Sequence, residues 1–395
     1  MKLIFICGCL QPGNDGVGDY TRRLAAALKV HGHDVYIIAL NDRFIHENRY
    51  EEQAVDGITV STLRLSFVQS YKIRFAEACQ CVKLYNPDWL SLQYVPFGFS
   101  NKGLPTGFTK HLCQLTNGAK WHLMLHELWV GMEDTATAKL RVWGLGQKLL
   151  IKNMINSLKP ASIHTQSKLY QAQMGKLGYT VDYLPLFSNI RNVYKNSSPY
   201  SAPHTPPNRA RNITLVMFGT IHPTSPIEQF AADVAEYAQK NTLTVQLVII
   251  GRSGDEQNKW AKIWADHGMG VKLMGEQTEA AISQMLLESS IGLTTTVGAK
   301  VEKSGSVAAM FAHGLPVLCV AGPWRAKGIR DFSLPEGVFE YKKGNIDQCL
   351  RLEHNWGFVK DVPEVAALML KSLVLGRSNV RLRYFSACLN HYLNS

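Results

Sequence analysis

One pattern recurs on both sides of a proline-rich segment and limits what the chain can fold into. It is a short apolar run ending in glycine, then a polar loop, then a helix-length stretch. The first half opens with KLIFICG (residues 2–8), then DYTRRLAAALKVHG (19–32), where Leu24, Ala27 and Leu28 share one helical side. The second half opens with ITLVMFG (213–219), a loop through Pro223 and Pro226, then IEQFAADVAEYAQK (227–240). Between them NSSPYSAPHTPPNRARN (196–212) has four prolines and no apolar periodicity, the composition of an interdomain linker. Further short apolar runs follow at 34–40, 58–63, 89–95, 121–126 and 161–166, and again at 245–251, 271–275, 291–296 and 315–320. Near-continuous apolar strands alternating with helices predict parallel sheets covered on both faces. The expected fold class is therefore α/β, two Rossmann-like doubly wound domains with a cleft between them and ligands at the C-terminal ends of the strands. The expected boundaries are 1–200, a linker at 201–212, 213–375, and a final helix within 376–395, around Arg381 to Leu393.

Length and composition agree with two globular domains. The chain has 395 residues, 46% hydrophobic and 18% charged, which excludes a disordered protein. No window approaches the roughly 20 apolar residues of a membrane span. The N-terminal apolar run, Leu3 to Cys7, is too short for a signal peptide, so a soluble, cytoplasmic protein is expected. Eight cysteines include no C-x-x-C pair, which points to reduced structural thiols rather than a zinc or dithiol site. The net charge of +11 is concentrated in the first half: residues 1–212 hold 24 Lys and Arg against 14 Asp and Glu, residues 213–395 hold 18 against 17. Such asymmetry suits an acidic partner (an anionic membrane, a phosphorylated acceptor or, less readily, nucleic acid) or a solvated basic face.

Several chemistries are missing from the sequence. There is no phosphate loop of the form G-x-x-x-x-G-K-S/T, no H-E-x-x-H helix and no G-x-S-x-G elbow. Asp-x-Asp is also absent, so no metal is expected on a diphosphate, and helix N-termini, backbone amides and basic side chains must serve instead. Three segments then stand out. GNDGVGDY (13–20) puts Gly16 and Gly18 before a helix, a turn that suits an anion, although Thr21 breaks the dinucleotide fingerprint and only Asp42 after the next strand speaks for a dehydrogenase. LHELW (125–129) ends a buried strand with His126 and Glu127, a pair able to meet a substrate hydroxyl. EKSGSVAAMFAHGLPV (302–317) places Ser304, Gly305 and Ser306 at a helix start beside Lys303, a diphosphate site in waiting, with His313 and Gly314 at its end. Residues 137–159 add an amphipathic helix with Lys139, Arg141, Lys148, Lys152 and Lys159 among apolar residues, either a core helix or a surface for an anionic membrane.

Together these elements resemble the retaining glycosyltransferases of the GT-B fold, the glycogen-synthase-like and mannosyltransferase-like group, over nearly the whole chain. GVGDYTRRLAAALKVHGHDV is similar to that group's first loop, helix and strand, and the segment from Gly275 through Leu286, IGLTTT and HGLPV to its donor domain. The resemblance implies metal-independent, retaining transfer from a nucleotide sugar, UDP- or GDP-linked, with no other cofactor. It implies His126, Glu302 and Lys303 as catalytic residues. Gly16, Gly18, Gly219, Thr220, His222, Gly275, Glu276, Ser304, Gly305 and Ser306 would bind donor, and Asp19, Tyr20, Glu127 and Trp129 acceptor. Departures accompany it. The group's second donor-motif glutamate falls on Met310 or Ala309, the spacing from Glu302 to Gly314 is one residue short, and only His222 stands where Arg and Lys are usual. A binding protein without turnover and a nucleic-acid-modifying transferase are the alternatives.

Overall fold

The computed structural model describes residues 1–192, 212–251, 253–329, 333–350 and 360–375. The expected linker (201–212), except Asn212, and the expected final helix (376–395) lie outside them. The chain divides into two compact units, Met1–Pro185 with Val362–Ser395, and Leu186–Asp361.

The first unit carries an eight-stranded sheet, β1 (Lys2–Cys7), β2 (Asp34–Asp42), β3 (Arg49–Val55), β4 (Ile58–Ser66), β5 (Trp89–Tyr94), β6 (Lys120–Leu125), β7 (Ser162–Thr165) and β8 (Asp182–Tyr183). Their order is β3-β4-β2-β1-β5-β6-β7-β8, parallel except for β3 against β4. Helices α1 (Gly16–Val30), α2 (Tyr71–Tyr85), α3 (Pro96–Phe99), α4 (Phe108–Leu115), α5 (Ala138–Leu158) and α6 (Lys168–Gly175) connect them, and a helix over 362–375, which we label α12, belongs to the same unit. Leu3, Ile4, Phe5 and Ile6 of β1 are fully buried, as expected for a central strand covered on both faces. The antiparallel β3 is absent from the apolar pattern because RYEEQAV is mostly polar and carries three charges, as suits an edge strand. Its signature lies in the turn: Asp56 and Gly57, with φ of 55° and 80°, join it to β4 as a two-residue hairpin of the kind that Asp-Gly favours.

The second unit is an all-parallel six-stranded sheet of β9 (Asn212–Phe218), β10 (Thr244–Ile250), β11 (Gly270–Gly275), β12 (Ile291–Thr294), β13 (Val317–Cys319) and β14 (Val338–Glu340), in the order β11-β10-β9-β12-β13-β14. Successive residues of the inner strands alternate between two cores. Leu215, Met217, Leu247 and Ile249 join one that holds Phe230 of α7 (Ile227–Asn241) and Trp260 and Trp264 of α8 (Glu256–Asp266). Val216, Val248, Ile250 and Val317 join the other, with Leu286 of α9 (Glu279–Glu288) and Met310 of α10 (Gly305–Ala312). That two-sided burial is why these strands read as continuous apolar runs, and it aims every strand's C-terminal end at one edge.

Candidate functional site

In the second unit, three neighbouring strands end in left-handed glycines: Gly275 as the last residue of β11, Gly251 after β10 and Gly219 after β9, with φ of 62°, 99° and 101°. They are linked in series, the Gly219 amide donating to the Ile250 carbonyl at 3.2 Å and the Gly251 amide to the Gly275 carbonyl at 2.8 Å. Only glycine adopts such backbone without strain, and its missing Cβ leaves room for a ligand to approach the main chain. A Cβ on Gly219 would stand 3.6 Å from that of Ser306, so this shelf meets the first turn of α10. Ser304 caps that helix, accepting from the Val307 amide at 3.4 Å and touching the Ser306 hydroxyl at 3.0 Å. First-turn amides have no intrahelical acceptor, and with Val307's met, those of Gly305 and Ser306 remain for a ligand or water. Space beside Gly305 is open.

Side chains brace the loop that follows β9. Thr295 Oγ1 accepts from the His222 amide at 2.9 Å and donates to the Thr220 carbonyl at 3.2 Å, and Ser253 Oγ donates to the Gly219 carbonyl at 2.7 Å. Glu302 and Lys303 close a 3-10 turn, Gly298–Lys303, immediately before Ser304, and both are half-buried. Glu276, next to Gly275, is exposed, as is His222. Ala309 and Met310, on either of which the second donor-motif glutamate falls, are fully buried in the core. An acid could not stand there without losing its hydration, so any ribose contact has to come from elsewhere.

The corresponding edge of the first unit is closed by its own side chains. Asp15 Oδ1 accepts from the amides of Val17 and Gly18, both at 2.9 Å, so the two donors expected for an anion at this turn are already held by a carboxylate. Burial raises the Asp15 pKa while those amide bonds pull it back. A Cβ on Gly18 would come within 2.5 Å of the Cys9 carbonyl oxygen, so glycine is needed here for α1 to close on the preceding loop. Gly16 and Gly18 thus shape a turn, and the Val17 and Gly18 amides are not open to a donor phosphate. Asp42 is consumed as well. It is fully buried, accepts from Arg64 Nε at 2.7 Å and from the Leu10 and Phe44 amides at 3.1 and 3.0 Å, and is not available to a ribose. Burial pushes its pKa up, but the Arg64 bond and the two amides outweigh it and the net shift is downward.

His126 follows β6 and is 6% exposed. Its Nε2 lies 2.9 Å from Gln93 Oε1 and its Nδ1 3.2 Å from the Gln166 side-chain amide, so both ring nitrogens are engaged inside the protein. Tyr20, 2% exposed, stands edge-on to the imidazole with centroids 5.0 Å apart. Asp19 pairs with Arg22 and accepts from the Gly13 amide at 3.1 Å, Glu127 is half-buried, and Trp129 lies under the Lys148 ammonium, 5.3 Å from its ring. Residues absent from the sequence-based site are Gly251, Ser253 and Thr295 in the second unit and Gln93 and Gln166 in the first. Gly251 had a signal: VMFG, VIIG and KLMG, ending at 219, 251 and 275, are one motif written three times.

No family model matches the sequence, and no curated protein matches it either. Solved structures do. A glycosyltransferase from Rickettsia africae aligns over 96% of this chain and 97% of its own, with a TM-score of 0.52 at 12% identity. The UDP-GlcNAc 2-epimerase of Methanocaldococcus jannaschii aligns over 95% and 99%, with a TM-score of 0.54 at 10% identity. The Anabaena protein HepE in complex with UDP and glucose aligns over 94% and 90%, with a TM-score of 0.48 at 13% identity. At such identities the likeness is one of architecture. With two α/β units in tandem and the Rickettsia africae and Methanocaldococcus jannaschii structures as neighbours, the chain has the GT-B fold.

Proposed function

We propose that this protein is a glycosyltransferase that takes a sugar from a nucleotide-sugar donor, UDP- or GDP-linked, without a metal and with retention at the anomeric carbon. The observation that carries the reading is the glycine shelf of Gly219, Gly251 and Gly275 against the start of α10. A diphosphate laid there would meet the amides of Gly305 and Ser306 and the positive end of the helix, with Lys303 adjoining. As the sugar leaves, charge grows on the β-phosphate, and preorganised donors in that position lower the barrier because they need no rearrangement. Retention, by resemblance, has the acceptor attack on the face from which the diphosphate departs. His126 is a positioning residue in this reading: with both ring nitrogens held by Gln93 and Gln166, it shapes the first unit's edge and does not exchange a proton with substrate.

The acceptor side is the first unit's basic, apolar-edged surface. Val142, Leu145 and Leu149 on α5 are 71%, 55% and 56% exposed, in step with the helical repeat and accompanied by Lys139, Arg141, Lys148 and Lys152. Apolar residues flanked by cations suit an anionic bilayer, and no helix among the described residues is long and apolar enough to cross one. The enzyme would then work at the cytoplasmic membrane face on an acidic or lipid-borne acceptor. The burial of Ala309 and Met310 favours one other reading, a nucleotide-sugar-binding protein without turnover. Purified protein offered a panel of UDP- and GDP-sugars, with membrane extract as acceptor source and with and without chelator, decides between them. Transfer with released nucleoside diphosphate, unaffected by chelator, is expected. Donor binding without release in every condition would leave the binding protein, and epimerised or hydrolysed donor would move the activity to another class.

A further inference from the structure

The first unit buries two arginines near the C-terminal end of β2, and their charges are met differently. Arg64, on β4, meets two carboxylates, Asp42 at 2.7 Å and Glu51 at 3.1 Å, and its Nη2 donates to Gln11 Oε1 at 2.9 Å. Arg74, in the first turn of α2, is 5% exposed, and no carboxylate pairs with it among the described residues. Its partners are neutral. Nε donates to the Gln69 carbonyl at 3.0 Å, and Nη1 to the Leu40 carbonyl at 2.5 Å and Asn41 Oδ1 at 2.8 Å. The Tyr71 ring lies against the guanidinium, its centroid 4.6 Å from Cζ. Nη2 has no acceptor among the described residues and is not sealed from solvent. A guanidinium does not shed its proton, so burial leaves a full charge for an anion to meet. Burial lowers the Arg74 pKa, whereas the Asp42 and Glu51 bonds outweigh burial at Arg64 and raise its pKa.

The Arg74 side chain folds back beside a helix start. Gln69, which takes its Nε, immediately precedes Ser70, the N-cap of α2, and the Ser70 hydroxyl accepts from the Ile73 amide at 3.4 Å. The Ser70 carbonyl meets the Arg74 amide, which leaves the Tyr71 and Lys72 amides without an intrahelical acceptor. No acidic residue stands in the first turn of this fifteen-residue helix, so its positive end is not offset there. Carboxylates on the neighbouring elements are engaged elsewhere, Asp42 and Glu51 by Arg64 and Glu77 by Asn48. Phe67, Val68 and Ile73 flank the helix start and are exposed. The region also adjoins the basic surface of α5: Arg43 donates to the Phe97 carbonyl at 3.0 Å, and Phe97 packs edge-on against Trp143 at 6.0 Å.

We propose that Arg74 anchors a phosphate site at the start of α2, with Nη2 and the Tyr71 and Lys72 amides on the phosphate oxygens, and that it holds the phosphate of the acceptor. Only the acceptor's role rests on the transferase reading; the site itself does not. The exposed apolar rim suits a phosphate carried on an aliphatic body. Binding is read without donor, on full-length protein labelled with 15N-arginine and titrated with glycerol 3-phosphate, dioctanoyl phosphatidic acid, or sodium chloride at matched ionic strength. The Arg74 guanidinium resonances should move with either phosphate and not with chloride, while those of Arg64 stay fixed. Arg74→Lys keeps the charge and loses the planar fork, and should weaken binding about ten-fold or more. Lys72→Glu, at an exposed position where an acid suits the helix start, should keep the fold and weaken binding by repulsion. Binding of phosphatidic acid about ten-fold tighter than glycerol phosphate assigns the site to a lipid-borne phosphate, and equal binding to a soluble one. A wild-type titration in which no guanidinium resonance responds to phosphate, or in which chloride acts equally, overturns the proposal. Binding that both substitutions leave unchanged overturns it as well. Phosphate binding at Arg74 without sugar transfer in any condition would remove the transferase reading and leave the site standing.

Discussion

After β1 the chain places an aspartate over its helix donors, whereas after β9 it places a glycine beside Ser306 in the first turn of α10, a helix that starts elsewhere in the sequence and keeps first-turn amides uncovered. The parts are the same in both units, an apolar strand, a glycine and a helix. What differs is where charge and Cβ atoms have been put. The first edge is filled by the half-buried Asp15 and by the buried Asp42–Arg64 pair and the Gln93 and Gln166 amides around His126. The second is lined by three glycines and by hydroxyls that bond backbone rather than one another's charges. An anion brought to the start of α1 meets a carboxylate, and one brought to the second edge meets N–H groups. Similar topology therefore does not imply similar ligands, and in the proposed reading this asymmetry assigns the donor to the second unit.

The contrast can be broken most severely at Arg64. Its guanidinium is 5% exposed and its partner Asp42 fully buried, so Arg64→Leu should lose about 3–5 kcal/mol of stability, read by denaturant unfolding, because it strands a charge. A loss below about 1 kcal/mol would mean the pair behaves as a surface bridge. Next comes Gly219→Val. At φ of 101° a β-branched side chain is strained, and its Cβ would crowd Ser306, so nucleoside diphosphate affinity should fall about 100-fold or more, measured by calorimetry on protein that retains its circular dichroism. Unchanged affinity would move the donor off the shelf.

A pH series sharpens the comparison further. Burial holds the His122 pKa well below 6.5 and lowers that of His164 to about 4. As pH falls below 6.5 the unfolded chain takes up protons that these folded histidines refuse, so stability is full above 6.5 and declines toward pH 4. The first unit's melting should follow that course, with a shallower slope in His164→Gln; melting indifferent to pH across the window would contradict it. Reversing Lys148 and Lys152 to Glu should cut sedimentation with anionic vesicles strongly, at about 1 kcal/mol for each lysine lost, and leave donor binding in the other unit untouched. Wild-type protein that stays in the supernatant at low salt would remove the membrane from the proposal. The smallest effect is expected at Gly305, which has open space around it: Gly305→Ala should shift stability by less than about 1 kcal/mol, against a clear loss for the crowded Gly18→Ala.

Much of the architecture was legible because buried parallel strands and their helices announce themselves by apolar runs and helical spacing. The segments 2–8, 89–95 and 213–219 became β1, β5 and β9, and 137–159 became α5. Two kinds of feature escaped. The edge strand β3 has no apolar face to display, and only its Asp-Gly turn betrays it. The polar face of β5, β6 and β7 was hidden by its neighbours. In SLQ, HLMLH and SIHTQ, polar residues recur at even spacing among leucines, isoleucine and methionine, and a reading tuned to apolar content passes over them. The second unit's shelf was half visible. Its glycines and serines stand out as letters, but which of them share an edge is a matter of strand order, and the order β11-β10-β9 cannot be read from sequence distance.

The first unit is split in sequence, and that has a consequence for how the chain comes off the ribosome. Residues 1–185 are made first, yet the helix at 362–375 that belongs with them emerges only after all of residues 186–361 have been synthesised. The Ser162–Ser372 hydrogen bond joins positions 210 residues apart. At roughly 5–20 residues per second, the nascent first sheet waits on the order of ten to forty seconds for that helix, with Ser162, His164 and their aliphatic neighbours uncovered meanwhile. The second unit has no such wait, because all its strands are contiguous in the message.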